Sequence, residues 1–176
     1  YAWDYDSIGN RLLTVTNDTN VQWYATDNVN RYTTAYNGTE SFTYDADGNL
    51  IQDGAFAYTW DVENRLIAVD PLNVVDGSVK ATFKYDYMGR RVYKALETYH
   101  VDQENGDYWD QSSSLYCVYD NWNLIIEDGA TSDRAYSRTY TWWQDLSDTL
   151  HGAGGIGGLL SMHDRRDIYD PSADRN

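Results

Sequence analysis

Six aspartates recur in one local context in this chain. A carboxylate in a repeated context can cap a turn, hold a cation or move a proton. They are Asp6, Asp27, Asp45, Asp61, Asp86 and Asp120, spaced 21, 18, 16, 25 and 34 residues apart. Tyr44-Asp45-Ala46-Asp47-Gly48-Asn49-Leu50 is the fullest copy, and Tyr5-Asp6 to Gly9 and Tyr85-Asp86 to Gly89 repeat it. A carboxylate three residues ahead of glycine suits a chain reversal, because the acid accepts local N–H groups and glycine takes positive φ at no steric cost. Asn30, Asn64 and Asn123 stand near the glycine position in the other copies, and asparagine is the residue after glycine that best tolerates a left-handed backbone. The turn residues expected are thus Asp6, Gly9, Asp27, Asn30, Asp45, Gly48, Asp61, Asn64, Asp86, Gly89, Asp120 and Asn123.

Other chemistries find less support. Asp45-x-Asp47-x-Asn49 opens like a calcium loop, but its twelfth position is Phe56 where a bidentate glutamate belongs. Gly152-Ala153-Gly154-Gly155-Ile156-Gly157 fits G-x-G-x-x-G, yet mostly polar and charged residues follow where a dinucleotide site needs a helix. His100, His151 and His163 lack the spacing of a helical zinc pair, and no serine lies in a Gly-x-Ser-x-Gly elbow. Cys117, the only cysteine, sits among Leu115, Tyr116 and Val118 and reads as a small core residue of a strand. Asn17-Asp18-Thr19 and Asn37-Gly38-Thr39 are glycosylation sequons by rule. Trp109 and Trp122 are the aromatics singled out for ligand contact, since a rigid ring loses little entropy on stacking against a sugar. No cofactor, metal or catalytic residue is assigned, and an enzyme is not expected.

The elements that carry these corners are strands. Phe42-Thr43-Tyr44 and Phe56-Ala57-Tyr58-Thr59-Trp60 alternate with one aromatic face, whereas no stretch shows a 3.6-residue period. The chain has 17 Tyr, 7 Trp and only 2 Pro, a composition suited to pleated, half-buried surfaces. The fold class expected is all-β, a repeat of β-hairpins forming a spiralling antiparallel sheet. Repeats are placed at residues 1–160 and a charged tail leading out of them at 161–176. Tyr99 to Ser114 reads as a polar insertion, and Asp128-Gly129 to Asp133 as a turn. The start within a repeat, without methionine, suggests a piece of something longer. A formal net charge of -15 argues against nucleic acid and against anionic membrane surfaces, and no apolar run is long enough to span a bilayer.

Together these residues resemble the YD-repeat or Rhs family. Tyr44-Asp45-x-x-Gly48-Asn49-Leu50 followed by Tyr58-Thr59-Trp60-Asp61-x-Glu63-Asn64-Arg65-Leu66 is similar to the paired repeat. Tyr140-Thr141-Trp142-Trp143-Gln144-Asp145-Leu146-Ser147, continuing into Leu150 to Leu160, resembles the segment preceding the core region of bacterial Rhs proteins. The resemblance implies a β-sheet wound into a hollow shell, as in Rhs and insecticidal-complex toxins and in teneurins. In the bacterial members the shell encloses a toxic C-terminal domain, which an aspartate-dependent self-cleavage frees. Asp170-Pro171 lacks the following glycine, so no protease site is transferred to it. The function expected is a structural segment of a secreted or surface shell that encapsulates a toxin or serves as extracellular scaffold. The alternatives are a carbohydrate- or protein-binding module and a filament subunit. The partners expected are the remaining repeats of a longer chain or neighbouring copies, with an encapsulated toxin domain or surface glycan beyond them.

Overall fold

The computed structural model describes residues 1–17, 20–35, 40–132 and 134–166. Both sequons and Asp170-Pro171 include residues outside that set. Every regular element described is a β-strand, so the chain is all-β with antiparallel sheets, as the alternating aromatic pattern requires. No helix is long and apolar enough to cross a membrane. The chain divides into two compact units, Tyr1–Asn73 and Val74–Asn176.

The first unit holds β1 (Ala2–Tyr5), β2 (Arg11–Thr16), β3 (Asn20–Trp23), β4 (Ala25–Thr26), β5 (Tyr32–Ala35), β6 (Glu40–Ser41), β7 (Thr43–Tyr44), β8 (Leu50–Gln52), β9 (Phe56–Trp60) and β10 (Leu66–Pro71). Strands β1-β2-β3 and β4-β5-β6 form two small sheets, and β7 to β10 pair in sequence order. The breaks at Tyr24 and Phe42 are slight: the Tyr24 N–H still reaches Leu12 O at 3.0 Å and the Phe42 N–H reaches Thr33 O at 3.1 Å.

The second unit is a meander of β11 (Val79–Tyr85), β12 (Arg91–His100), β13 (Tyr108–Asp120), β14 (Asn123–Thr131), β15 (Ala135–Trp142) and β16 (Leu159–Arg166), each paired antiparallel with the next. Three boundaries differ from the sequence reading. The insertion shrinks to 101–107, because Tyr99 pairs with Trp109 and His100 with Tyr108, their rings 5.1 and 5.2 Å apart; such cross-strand ring pairs extend the ladder through polar sequence. Gly129 lies inside β14 and is no turn: the Tyr136 ring covers it, and a Cβ there would fall 2.1 Å from that ring. The strand also continues past residue 160, with Ser161 to Arg166 paired to β15 and Asp164 facing Arg138 across the ladder at 3.5 Å. Charged residues suit a solvated strand face, so a charged composition alone did not mark the end of the sheet.

Little is fully enclosed. Among the described residues the buried apolar side chains are Ala35, Ala95 and Cys117, while rings such as Trp23 and Tyr116 remain more than half exposed. Cohesion therefore rests on the ladders and on ring and cation contacts across them, including Tyr93–Tyr116 at 4.8 Å and Lys84 over Tyr93 at 5.1 Å.

Gly48 and Gly89 adopt φ of +90° and +77° with open space where a Cβ would stand. Valine at either position should therefore act through backbone strain alone and cost about 1–3 kcal/mol. Urea or thermal unfolding reads the effect, and unchanged midpoints in both variants would refute the left-handed assignment.

Candidate functional site

The recurring acids build one construction five times. At Asp6, Asp27, Asp45, Asp61 and Asp86 the residue three positions on donates its N–H to the Asp carbonyl at 3.0–3.2 Å, and the Asp N–H returns to the carbonyl four positions on. That fourth residue then leads into the outgoing strand. Gly9, Asn30, Gly48, Asn64 and Gly89 occupy the third position, all at positive φ. The arrangement is a tight turn closed by a left-handed residue, a common way to join antiparallel strands.

The carboxylate completes it. Oδ1 accepts the N–H groups two and four residues on at 2.8–3.0 Å in all five corners. Oδ2 accepts the side chain of the fourth residue: Asn10, Arg31, Asn49, Arg65 or Arg90, at 2.7–2.9 Å. Each acid is held below the ordinary carboxylate range. At Asp6, Asp61 and Asp86 partial desolvation works upward and the hydrogen bonds outweigh it; at Asp27 the Arg31 N–H leads, and at Asp45 the Asn49 amide. Asp45 thus spends both oxygens on N–H donors, which leaves the calcium-loop reading little to work with. Among the described residues no cluster of His, Cys, Asp and Glu could hold a metal ion.

Within the first unit neighbouring corners touch, and in the second the Asp86 corner touches the next hairpin. Asn10 Nδ2 reaches Asn30 Oδ1 at 3.3 Å and Asn49 Nδ2 reaches Asn64 Oδ1 at 2.8 Å. Arg31 lies 4.7 Å over the Tyr44 ring of the next corner, and Tyr44 donates its hydroxyl to Tyr32 O at 2.9 Å. In the second unit Arg90 lies 5.0 Å over Tyr119 and donates to Asn121 O.

Asp120 and Asn123 do not form a sixth corner. They face each other across the two-residue link Asn121-Trp122, where Asn121 takes positive φ. With Asn123 already paired in the outgoing strand, the link has no room for the third and fourth residues of a corner, and the Asp120 side chain is mostly exposed, 3.7 Å from His151 Nε2. Asn123 instead turns inward, 2% exposed, donating through Nδ2 to Leu150 O at 3.2 Å with His151 Nδ1 3.3 Å away.

The sixth corner is at Asp145, which the sequence analysis did not count. Its N–H reaches Thr149 O at 2.7 Å and Asp148 N–H reaches its carbonyl at 3.0 Å, with Asp148 at φ 57°. Asp145 is 5% exposed. Oδ1 accepts the Ser147 N–H and hydroxyl at 2.9 and 2.6 Å, and Oδ2 accepts the Ala153 and Gly155 N–H groups at 2.6 and 3.2 Å. These donors, the Ser147 hydroxyl foremost, draw its pKa down to about 2. The available signal was Asp145-x-x-Asp148, with aspartate where other corners have glycine or asparagine; aspartate also tolerates the left-handed region.

The aromatics chosen for ligand contact separate. Trp109 is half-buried, 5.1 Å from Tyr99 with the Lys80 ammonium 4.6 Å over its ring. Trp122 is exposed at its hairpin tip. Cys117 is buried in β13, and that burial pushes its thiol up. Two hydroxyls are also displaced. Tyr58 donates to Asp53 at 2.6 Å and Tyr140 donates to Glu127, and burial followed by that hydrogen bond pushes each up to about 12.

No protein-family model matches the chain. It is 32% identical over 140 residues to the tRNA nuclease WapA of Bacillus subtilis, a match covering 78% of this chain and 5% of that protein. It is likewise 32% identical over 155 residues to the tRNA3(Ser)-specific nuclease WapA of Bacillus spizizenii, covering 85% of this chain and 6% of that protein. The chain thus spans a small fraction of these relatives' length. Among solved structures, a crystal structure of TcdB2-TccC3 aligns over 97% of this chain and 8% of its own, with 12% identity and a TM-score of 0.44. The expectation that no enzyme is involved is corrected by the first two matches, since both relatives are named nucleases.

Two pH limits follow. Carboxylates with depressed folded-state pKa values stabilise the fold above their unfolded value and lose that contribution as pH falls through the folded one. Stability should therefore drop from about pH 4 to about pH 2, and Asp145→Asn should flatten part of that drop. The tyrosines behave oppositely: their raised values stabilise below about pH 10, and the contribution fades as pH climbs towards 12. Thermal melts of Tyr58→Phe and Tyr140→Phe across pH 9 to about 12 should show less alkaline loss than the parent; equal loss would refute the assignment.

Proposed function

We propose that this chain is the YD-repeat portion of a WapA-like toxin nuclease, a β-hairpin wall that holds or surrounds the region acting on RNA. The observation that carries this reading is the corner itself: one carboxylate-capped turn used five times, three of them in the Tyr-Asp context, and again at Asp145. Similarity to proteins named tRNA nucleases over most of the chain supports it. A wall needs strands that add edge to edge without a thick core, and both units are built so. A net charge of -15 makes this segment a poor phosphate binder, which suits a wall around RNA chemistry better than a surface that grips RNA. Secretion or display at the cell surface is part of the same proposal.

The test uses a full-length WapA nuclease. Changes equivalent to Gly48→Val, Gly89→Val and Asp145→Asn together should make the repeat region sensitive to limited proteolysis and alter the release of tRNA-cleaving activity. Unchanged protease resistance and unchanged release would reject the wall.

A further inference from the structure

One arginine of the first unit meets no acid. Arg31 and Arg65 each reach the carboxylate of their own corner, at 2.8 and 2.7 Å. Arg11 stands one residue beyond the Asp6 corner, where Asn10 already occupies Asp6 Oδ2, and its neighbours are phenols. Its guanidinium lies 5.9 Å from the centre of the Tyr5 ring and 5.8 Å from that of Tyr24. Arg11 Nε is buried without an acceptor among the described residues, an uncommon state for a charged donor. Its charge is therefore left without a counter-charge.

The same side chain lines a cavity of about 530 Å³ within the first unit, walled by Tyr5, Tyr24, Tyr32 and Phe42. The hairpins explain the meeting. Tyr5 pairs with Arg11 across β1 and β2, the Tyr24 N–H reaches Leu12 O on the other side of β2, and the Tyr32 ring stands edge-on 5.8 Å from Tyr24. A pocket of this size with aromatic walls and few polar groups has the form of a small-molecule site.

Hydrogen-bond counting gives the sign of the occupant. The Tyr32 oxygen accepts the Arg11 backbone N–H at 2.9 Å, which leaves the phenol's own proton to be donated elsewhere. The Tyr5 hydroxyl bonds the guanidinium, to which it can act only as acceptor, so its proton is also left to donate. Glu40, the acid on the wall, does not answer them: its Oε1 leans towards Gly54, 3.6 Å from where a Cβ would stand there. Donors thus outnumber acceptors, and an acceptor-rich anion is the complement. A single guanidinium offers one charge and a planar fork that matches a carboxylate. A doubly charged phosphate would be opposed more strongly by a chain at -15. Four rings around the cation select a flat apolar body.

We propose that this cavity binds a small aromatic monocarboxylate, its carboxylate against Arg11 and the Tyr5 and Tyr32 hydroxyls and its ring among Tyr24, Tyr32 and Phe42. The inference does not depend on the wall reading above.

Isothermal titration of the purified chain with 3-phenylpropionate tests it. Binding should saturate at one molecule per chain. The methyl ester keeps the ring and loses the charge, and should bind about tenfold or more weakly; phenyl phosphate should also bind more weakly than the carboxylate. Arg11→Met should lose about tenfold or more in affinity, whereas Glu40→Gln, which removes a nearby negative charge, should bind more tightly. Far-ultraviolet circular dichroism shows whether Arg11→Met keeps its strands. Where it does not, Tyr5→Phe replaces it, since that change removes only a hydroxyl and should weaken binding. Absence of saturable binding overturns the proposal, as does equal affinity for acid and ester, tighter binding of phenyl phosphate, or parental affinity in folded Arg11→Met or in Tyr5→Phe. Unchanged or weaker binding by Glu40→Gln also counts against an anion in this cavity.

Discussion

A carboxylate that accepts N–H groups from the turn it begins is the interaction on which this structure depends. A hairpin corner leaves several donors without a ladder partner, and an acid at its first position collects them. One oxygen takes two backbone N–H groups; the other ties down the side chain that starts the return strand. Because the acid is ionised in that role, the corner also sets the acid limit of the fold, and the guanidinium at the fourth position of three corners answers its charge.

The corners matter because the sheets have little else. Cys117 and two alanines are the buried apolar side chains among the described residues, so large-to-small substitutions in a core cannot be the main hazard here. Stability is spread along the ladders instead, through Tyr93 against Tyr116, Tyr99 against Trp109, and cations lying over rings. Repeat architectures share this distribution, since each unit contacts its neighbours and gains little from distant parts. Asp145 is the most demanding case: one buried acid organises a glycine-rich loop that would otherwise have many backbone conformations to lose.

A 32% identity to proteins named tRNA nucleases changes how such a segment is understood. The absence of a recognisable catalytic motif in the sequence said nothing about the activity of so much longer a polypeptide. The acidic surface and the carboxylate-capped corners are properties of this segment, and the nuclease is a property of those relatives.

By itself the sequence determined the strand class and the places where the chain reverses at Asp6, Asp27, Asp45, Asp61 and Asp86, because alternation and a left-handed glycine or asparagine are local requirements. Only the tertiary structure decided where strands end and which acids do the capping. Gly129 reads as a turn until the Tyr136 ring from the adjacent strand is placed over it, and the polar stretch after Tyr99 reads as a loop until Trp109 is brought opposite. Asp120 carries the right neighbours but meets a two-residue link, while Asp145, with aspartate at its third position, gathers donors up to ten residues away. Those outcomes turn on pairing register and loop closure, which no window of a few residues contains.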